Sequence, residues 1–243
     1  FGEVIEIASS KDKNFNYIPK EIKIDNNFDY VHLTTNNTIF GTQFHNFPDT
    51  NSSLISDMSS DIFSRTIDYS KFDLFYAGAQ KNTGPAGTTL VILKESLLSE
   101  INKNVPSMLS YKIHADKESM FNTPPVFPIY TAMLNLRWIK KNGGIKNIEN
   151  QNREKANLIY NEIDNNSKFI GFAEKDDRSF MNVTFNLTNS EEKDIFDKIC
   201  EENNIVGING HRSVGGYRAS IYNAMAIESV EVLVDCMKKF EKL

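Results

Sequence analysis

The sequence predicts an α/β protein, a mixed sheet covered by helices and followed by a smaller α+β domain. Three observations carry this. Short apolar runs rich in aromatic and β-branched residues, bounded by Gly, Asn and Pro, fill the first half. From Pro125 onward, longer stretches carry apolar residues at helical spacing. These helical stretches then alternate with single strands, the pattern of antiparallel strands with helices on one face.

The opening "FGEVIEIASS" reads as a strand and lacks an initiator methionine, so the chain is expected to be a piece of a longer protein. Strands are predicted over Tyr30–Thr35, within Ser52–Ser60, over Lys71–Ala79 and over Thr88–Lys94. Their near-continuous apolarity predicts cover on both faces. Helices are predicted over Pro125–Gly144, ending at a glycine pair, and over Ile145–Asn166. A strand over Met181–Leu187, a helix over Ser190–Asn204, a short segment Ile205–Ile208, a strand over Gly216–Tyr222 and a helix from Ala226 to Leu243 complete the chain. Asn189 with Glu192 makes a capping-box pattern, although Asn is not its usual first residue. The domain boundary falls at Gly143–Gly144, giving a first domain 1–143 and a second 144–243.

Composition narrows the function. The chain has 243 residues, 40% hydrophobic and 24% charged, an ordinary globular balance. A net charge of -5 gives no support to a general nucleic-acid or membrane-surface partner. Two cysteines, Cys200 and Cys236, fit a reducing compartment, the cytoplasm, and both fall on helices as core residues. His32, His45, His114 and His211 are scattered without ligand spacing, so no metal site is expected.

The most informative stretch is "YAGAQKNTGPAGTTLVIL", Tyr76–Leu93. A lysine in a loop is ordinarily a solvated cation. Lys81, however, is delivered at the C-terminal end of a strand, where α/β sheets build their sites. Ala77, Gly78 and Ala79 leave space beside it, and Gly84, Pro85 and Gly87 set a tight turn after it. A desolvated lysine loses its preference for the charged form, and its neutral amine attacks carbonyls. A phosphate loop is excluded, because that pattern needs the lysine directly after its second glycine. Asp57 ends the preceding predicted strand, so an acid and an amine share one sheet edge. Asp57 equally suits a plain turn cap.

These residues carry a resemblance. "DMSSDIFSRTIDYSKFDLFYAGAQKNTGPAG" resembles the cofactor-lysine region of the phosphoserine aminotransferases, class V members of the fold-type I pyridoxal-phosphate enzymes. "SMFNTPPVF" and "GHRSVGGYRASIYNA" resemble the same family, and "NNTIFG" resembles its Asn-Glu-Thr-Ile-x-Gly segment with Asn37 in place of Glu. Order and spacing hold across essentially the whole chain.

The resemblance implies a fold-type I architecture with pyridoxal 5'-phosphate as cofactor. It makes Lys81 the covalent anchor of the cofactor and the group that moves the substrate Cα proton. Asp57 would hold the ring nitrogen protonated. Thr38 would meet the ring hydroxyl oxygen and Gln80 the phosphate. Asn122 and Thr123 would reach the cofactor phosphate of a neighbouring subunit, making a homodimer with a shared site. Arg212 would hold the substrate α-carboxylate, a role that suits a bidentate guanidinium. His211 would lie near the substrate phosphate or side-chain carboxylate; Arg218, on the following strand, is a weaker candidate for the site and reads as structural. The substrates implied are L-glutamate with 2-oxoglutarate and phosphohydroxypyruvate with phosphoserine, in serine biosynthesis and in some bacteria vitamin B6 synthesis. The family's glycine-rich phosphate loop, stacking aromatic and further arginines would precede Phe1, and Trp138 reads as a core residue rather than that aromatic. The alternatives are another class V enzyme, such as a cysteine desulfurase, or a subunit without activity of its own.

Overall fold

The computed structural model describes residues 2–24, 28–101, 104–212 and 214–243. Phe1, in the predicted opening strand, and Ser213, in the GHRSVGG stretch, lie outside them.

The first sheet has four strands in sequence order: β1 Tyr30–Thr34, β2 Ser53–Asp57, β3 Leu74–Gly78 and β4 Thr89–Leu93. β1, β2 and β3 run parallel, with Thr34 beside Asp57 and Asp57 beside Tyr76. β4 returns antiparallel, pairing Gly78 with Thr89. Three successive strands therefore end on one edge, and the segments leaving them carry Thr38, Asp57 and Lys81. Val31, Leu33, Leu54, Met58, Ile62, Phe72, Phe75 and Ala77 form the core beneath.

The sequence predicts strands covered on both faces, and β1 departs from this. Val31 and Leu33 are buried while Tyr30, His32 and Thr34 are exposed, because apolar and polar side chains alternate along it. The predicted opening strand is absent over residues 2–10. Val4 is 94% exposed and Ile5 58%, and no neighbouring strand pairs with their backbone. Alternation becomes a strand only where a partner completes the ladder. Residues further along this segment bond to the second half instead: Glu174 N donates to Asn16 O, Ile18 N to Asp177 Oδ2, and Lys20 pairs with Asp177.

Helix α1, Tyr111–Asp116, precedes α2, Val126–Lys141, and α3, Gly144–Asn165. Pro125 caps α2, where its missing N–H costs nothing. Gly143 takes φ 85°, a left-handed conformation at the break between α2 and α3. α2 buries Ala132 and Ile139. Its row Val126, Tyr130, Leu134 and Trp138, spaced by one turn, faces outward. Trp138 is thus on the surface of the chain rather than in its core. Helical spacing defines an apolar face without specifying what covers it.

The second sheet is antiparallel: β5 Phe169–Gly171, β6 Asn182–Leu187 and β7 Tyr217–Ser220. α3, α4 Lys193–Glu202 and α5 Ile227–Glu241 pack against it. Phe169, Phe185, Phe196, Tyr217 and Phe240 cluster there, with ring centroids 5.1 Å apart for Phe169–Phe196 and Phe196–Tyr217. Cys200 and Cys236 are buried in the same core, as their helical positions predicted. Asn189 caps a short 3-10 turn by accepting from Glu191 N, so the capping box with Glu192 does not form.

Candidate active site

The edge where β1, β2 and β3 end is the candidate site. Lys81 lies on the turn after β3. Thr83 N and Gly84 N both donate to Ala79 O, curling the turn back on itself. Gly87 has φ 118°, a conformation that glycine adopts at little cost and residues with a Cβ rarely do, and it lets the chain return into β4. The half-buried Lys81 Nζ donates to Thr38 Oγ1 at 2.7 Å. This brings together two residues 43 positions apart that the sequence reading assigned to one cofactor.

Asp57 ends β2 on the same edge. Its Oδ1 accepts from Ser59 N at 2.8 Å, and Ser59 Oγ in turn accepts from Gly78 N at 3.1 Å. The carboxylate is therefore aimed by its own turn, which is tied to β3. Burial first, then the Asp57 charge, raises the Tyr76 phenol above its ordinary value. Tyr76 also shares a 3.1 Å hydrogen bond with His32.

Beneath this surface lies a buried polar base. Asp61 is fully buried and pairs with Arg65 at 3.1 Å, accepts from Gln43 Nε2 at 3.1 Å, and is bonded by Thr35 Oγ1. A buried carboxylate persists only with such partners. The i,i+4 spacing of Asp61 and Arg65 was its one sequence signal, and the sequence reading did not use it.

Arg218 comes from β7 of the second sheet. Its Nη1 donates to Thr38 O at 3.3 Å, and its Nε is buried without a partner. Burial pushes the Lys81 ammonium below its ordinary 10.5; Asp57 partly offsets this, Arg218 adds to it, and Asp61 offsets it again. So Arg218 stands within electrostatic reach of Lys81. From sequence Arg218 is only a weaker site candidate, because an arginine on a strand announces nothing until the two sheets are docked. His211 and Arg212 occupy an exposed turn before β7. Gln80 is exposed beside Lys81, and a Cβ at Gly78 would stand 2.7 Å from its Oε1, so Gly78 is the seat of that amide. Asn122 and Thr123 are exposed on the loop before α2. Among the described residues, no group of three or more His, Cys, Asp or Glu is placed to hold a metal ion.

These donors fit pyridoxal phosphate. A half-buried amine of lowered pKa suits its aldehyde, a fixed carboxylate suits its ring nitrogen, and a hydroxyl at the amine suits its ring oxygen. The orphaned Arg218 Nε marks a place for an anion beside them. An amine, an acid and a hydroxyl gathered where three consecutive parallel strands end are groups that a fold-type I pyridoxal-phosphate enzyme needs.

Comparison with known proteins agrees. The family model described as aminotransferase class-V matches residues 3–233. Phosphoserine aminotransferase of Flavobacterium psychrophilum is 58% identical over 99% of this chain and 68% of its own length. The solved structure of phosphoserine aminotransferase from Bacillus circulans subsp. alkalophilus superposes with a TM-score of 0.96 at 47% identity, over 99% of this chain and 68% of that one. The pyridoxal-phosphate-bound enzyme from Trichomonas vaginalis gives 0.91 at 34% identity, over 97% and 68%. The chain belongs to the class-V aminotransferases and, within them, to the phosphoserine aminotransferase family. It spans about two thirds of the length of these relatives.

One pH dependence follows from the geometry. The neutral amine of Lys81 is the form that attacks an aldehyde, and its fraction grows as pH rises through the lowered pKa. The rate of covalent loading with pyridoxal phosphate therefore rises with pH and levels off below the range of a free lysine. Arg218→Gln removes a repelling cation and moves that rise to higher pH; Asp57→Asn removes an attracting anion and moves it lower. Stopped-flow absorbance over a pH series checks both signs.

Proposed function

We propose that the chain is the catalytic part of a phosphoserine aminotransferase, moving an amino group from L-glutamate to 3-phosphohydroxypyruvate to give 2-oxoglutarate and O-phospho-L-serine, in serine biosynthesis. The observation that carries this is the convergence of Thr38, Asp57 and Lys81 on one sheet edge with Arg218 entering from the other sheet. When bound, pyridoxal phosphate supplies an electron sink for the charge left on substrate Cα.

The chain's own residues do the rest. Lys81 Nζ takes the proton from substrate Cα and later returns one, base and then acid. Thr38 Oγ1 holds that nitrogen in place between the two steps. Asp57 supplies the fixed negative charge that keeps the ring nitrogen protonated. Arg218 takes the carboxylate nearest the reacting amine, satisfying its buried Nε. Arg212 and His211, on the exposed turn, take the far end of the substrate, its phosphate or second carboxylate. This reading moves the α-carboxylate from Arg212 to the arginine beside Lys81.

Gln80, Asn122 and Thr123 are proposed phosphate ligands. The outward row of α2 begins just after Asn122 and Thr123; in the homodimer we propose, a second copy covers that row and the loop reaches its partner's site. Among the described residues, no helix is long and apolar enough to cross a membrane. We place the enzyme in the cytoplasm, with no nucleic-acid partner.

A coupled assay for glutamate-dependent phosphoserine formation tests the reading. Arg218→Gln is expected to lower kcat/KM for glutamate by the worth of a charge-assisted hydrogen bond, about 1.5–3 kcal/mol or roughly 10- to 150-fold. Unchanged kcat/KM in this variant would reassign the carboxylate to Arg212.

A further inference from the structure

Lys155 sits on α3 at 2% exposure, and among the described residues no ion pair joins it to a carboxylate. Its Nζ donates to three main-chain carbonyls of one segment: Ile221 O at 3.2 Å, Tyr222 O at 2.9 Å and Met225 O at 3.1 Å. Burying an ammonium costs several kcal/mol, and three carbonyl dipoles are its compensation here. Burial brings its pKa down to about 8.

The clamped segment leads to the site by two routes. Asn223 N donates to Asn82 Oδ1 at 3.1 Å, and Asn82 follows Lys81 directly. The Asn223 side chain is fixed on both sides: it accepts from Asn152 Nδ2 at 2.8 Å and donates to Phe63 O at 3.1 Å. Asn152 lies one helical turn before Lys155, so one face of α3 holds the whole segment. Along the second route, Tyr222 OH accepts from Asn182 Nδ2 at 3.2 Å, and Asn182 Oδ1 accepts from Asn36 Nδ2 at 2.9 Å, at the root of the Thr38 loop. The clamp therefore bears on both partners of the Lys81–Thr38 bond.

We propose that Lys155 is a positioning residue: by clamping Ile221–Met225 it sets the Asn223–Asn82 contact, and through it the place of Lys81 Nζ against Thr38. The catalytic consequence rests on Lys81 as the reacting amine; the mechanical one does not. Lys155→Met keeps length and removes all three hydrogen bonds. Lys155→Gln keeps a neutral donor on α3, but its two amide hydrogens can serve at most two of the three carbonyls.

The test is amide hydrogen exchange on the unloaded protein, followed by kinetics on the protein loaded with pyridoxal phosphate. In either variant, Thr83 and Gly84 amides are expected to exchange about tenfold faster relative to the Val183 and Phe185 amides of the second core. The loaded variants are expected to lose on the order of 10- to 100-fold in kcat, the cost of a misplaced reacting group, with little change in KM. Equal acceleration at all four amides, or preserved kcat with a lowered Tm, would reduce Lys155 to a structural residue and overturn the proposal. If Lys155→Met fails to fold, Lys155→Gln decides by the same comparison. Variants that show the exchange pattern, beside wild-type protein that does not load, would instead overturn the functional reading.

Discussion

Lys81→Ala loses transamination by about 10²–10⁴-fold or more, the worth of a positioned acid–base group, and no longer binds pyridoxal phosphate covalently. The fold survives. Among the described residues Lys81 makes one side-chain hydrogen bond, to Thr38 Oγ1, and its burial works against its charged form. Removing it therefore relieves desolvation as it removes chemistry. The expected result is an unchanged far-UV circular dichroism spectrum and Tm beside an assay at background. The visible absorption band of the loaded protein vanishes with it. A small external amine supplied in solution is expected to restore part of the proton transfer. Retained activity in Lys81→Ala would mean that another amine does the chemistry.

Asp57→Asn has the second largest effect. The side chain keeps its shape, and an amide oxygen still accepts from Ser59 N, so the turn holds. What goes is the negative charge at the sheet edge. A preorganised charge in such a site is worth about 10²–10³-fold in kcat. The loss is expected in kcat, with KM for glutamate moving little, because the role proposed for Asp57 is on charge developing during the reaction. A second signature is independent of catalysis. The Asp57 carboxylate contributes to raising the Tyr76 phenol. Its loss lowers the Tyr76 titration in the variant, read by ultraviolet absorbance. A full-rate Asp57→Asn enzyme with Tyr76 unmoved would show that this carboxylate does not face the site.

Much of this was legible in the sequence because the information is local. Lys81 and Asp57 each stand at the end of a run whose apolar, β-branched character marks a strand, and Thr38 follows another. Parallel strands then place them on one edge without further assumption. The antiparallel second sheet with its helices was legible from the alternation of helical and strand periods. The three-residue β5 was not, since so short a run leaves no period to read.

The failures concern whatever depends on a neighbour. Val4 and Ile5 alternate like a strand, but a ladder needs a second backbone. Trp138 lies on an apolar helical face, and periodicity does not say whether chain or partner covers that face. Arg218 reaches the site only through the packing of one sheet on the other, a contact between positions 38 and 218. Lys155 carried no signal at all: a lysine on a polar helix is ordinarily solvated, and only the fold reveals three carbonyls around this one. The chemistry could thus be read from strand ends, while the groups that aim it come from long-range packing.

The central claim is that Lys81 is the amine that carries the cofactor. Borohydride reduction of the protein loaded with pyridoxal phosphate, followed by proteolysis and peptide mass mapping, tests it most directly. The account predicts one modified residue, Lys81, within the Tyr76–Leu93 stretch, and none in the Lys81→Ala variant. Modification centred on any other lysine, or none in wild-type protein that has taken up the cofactor, would contradict it.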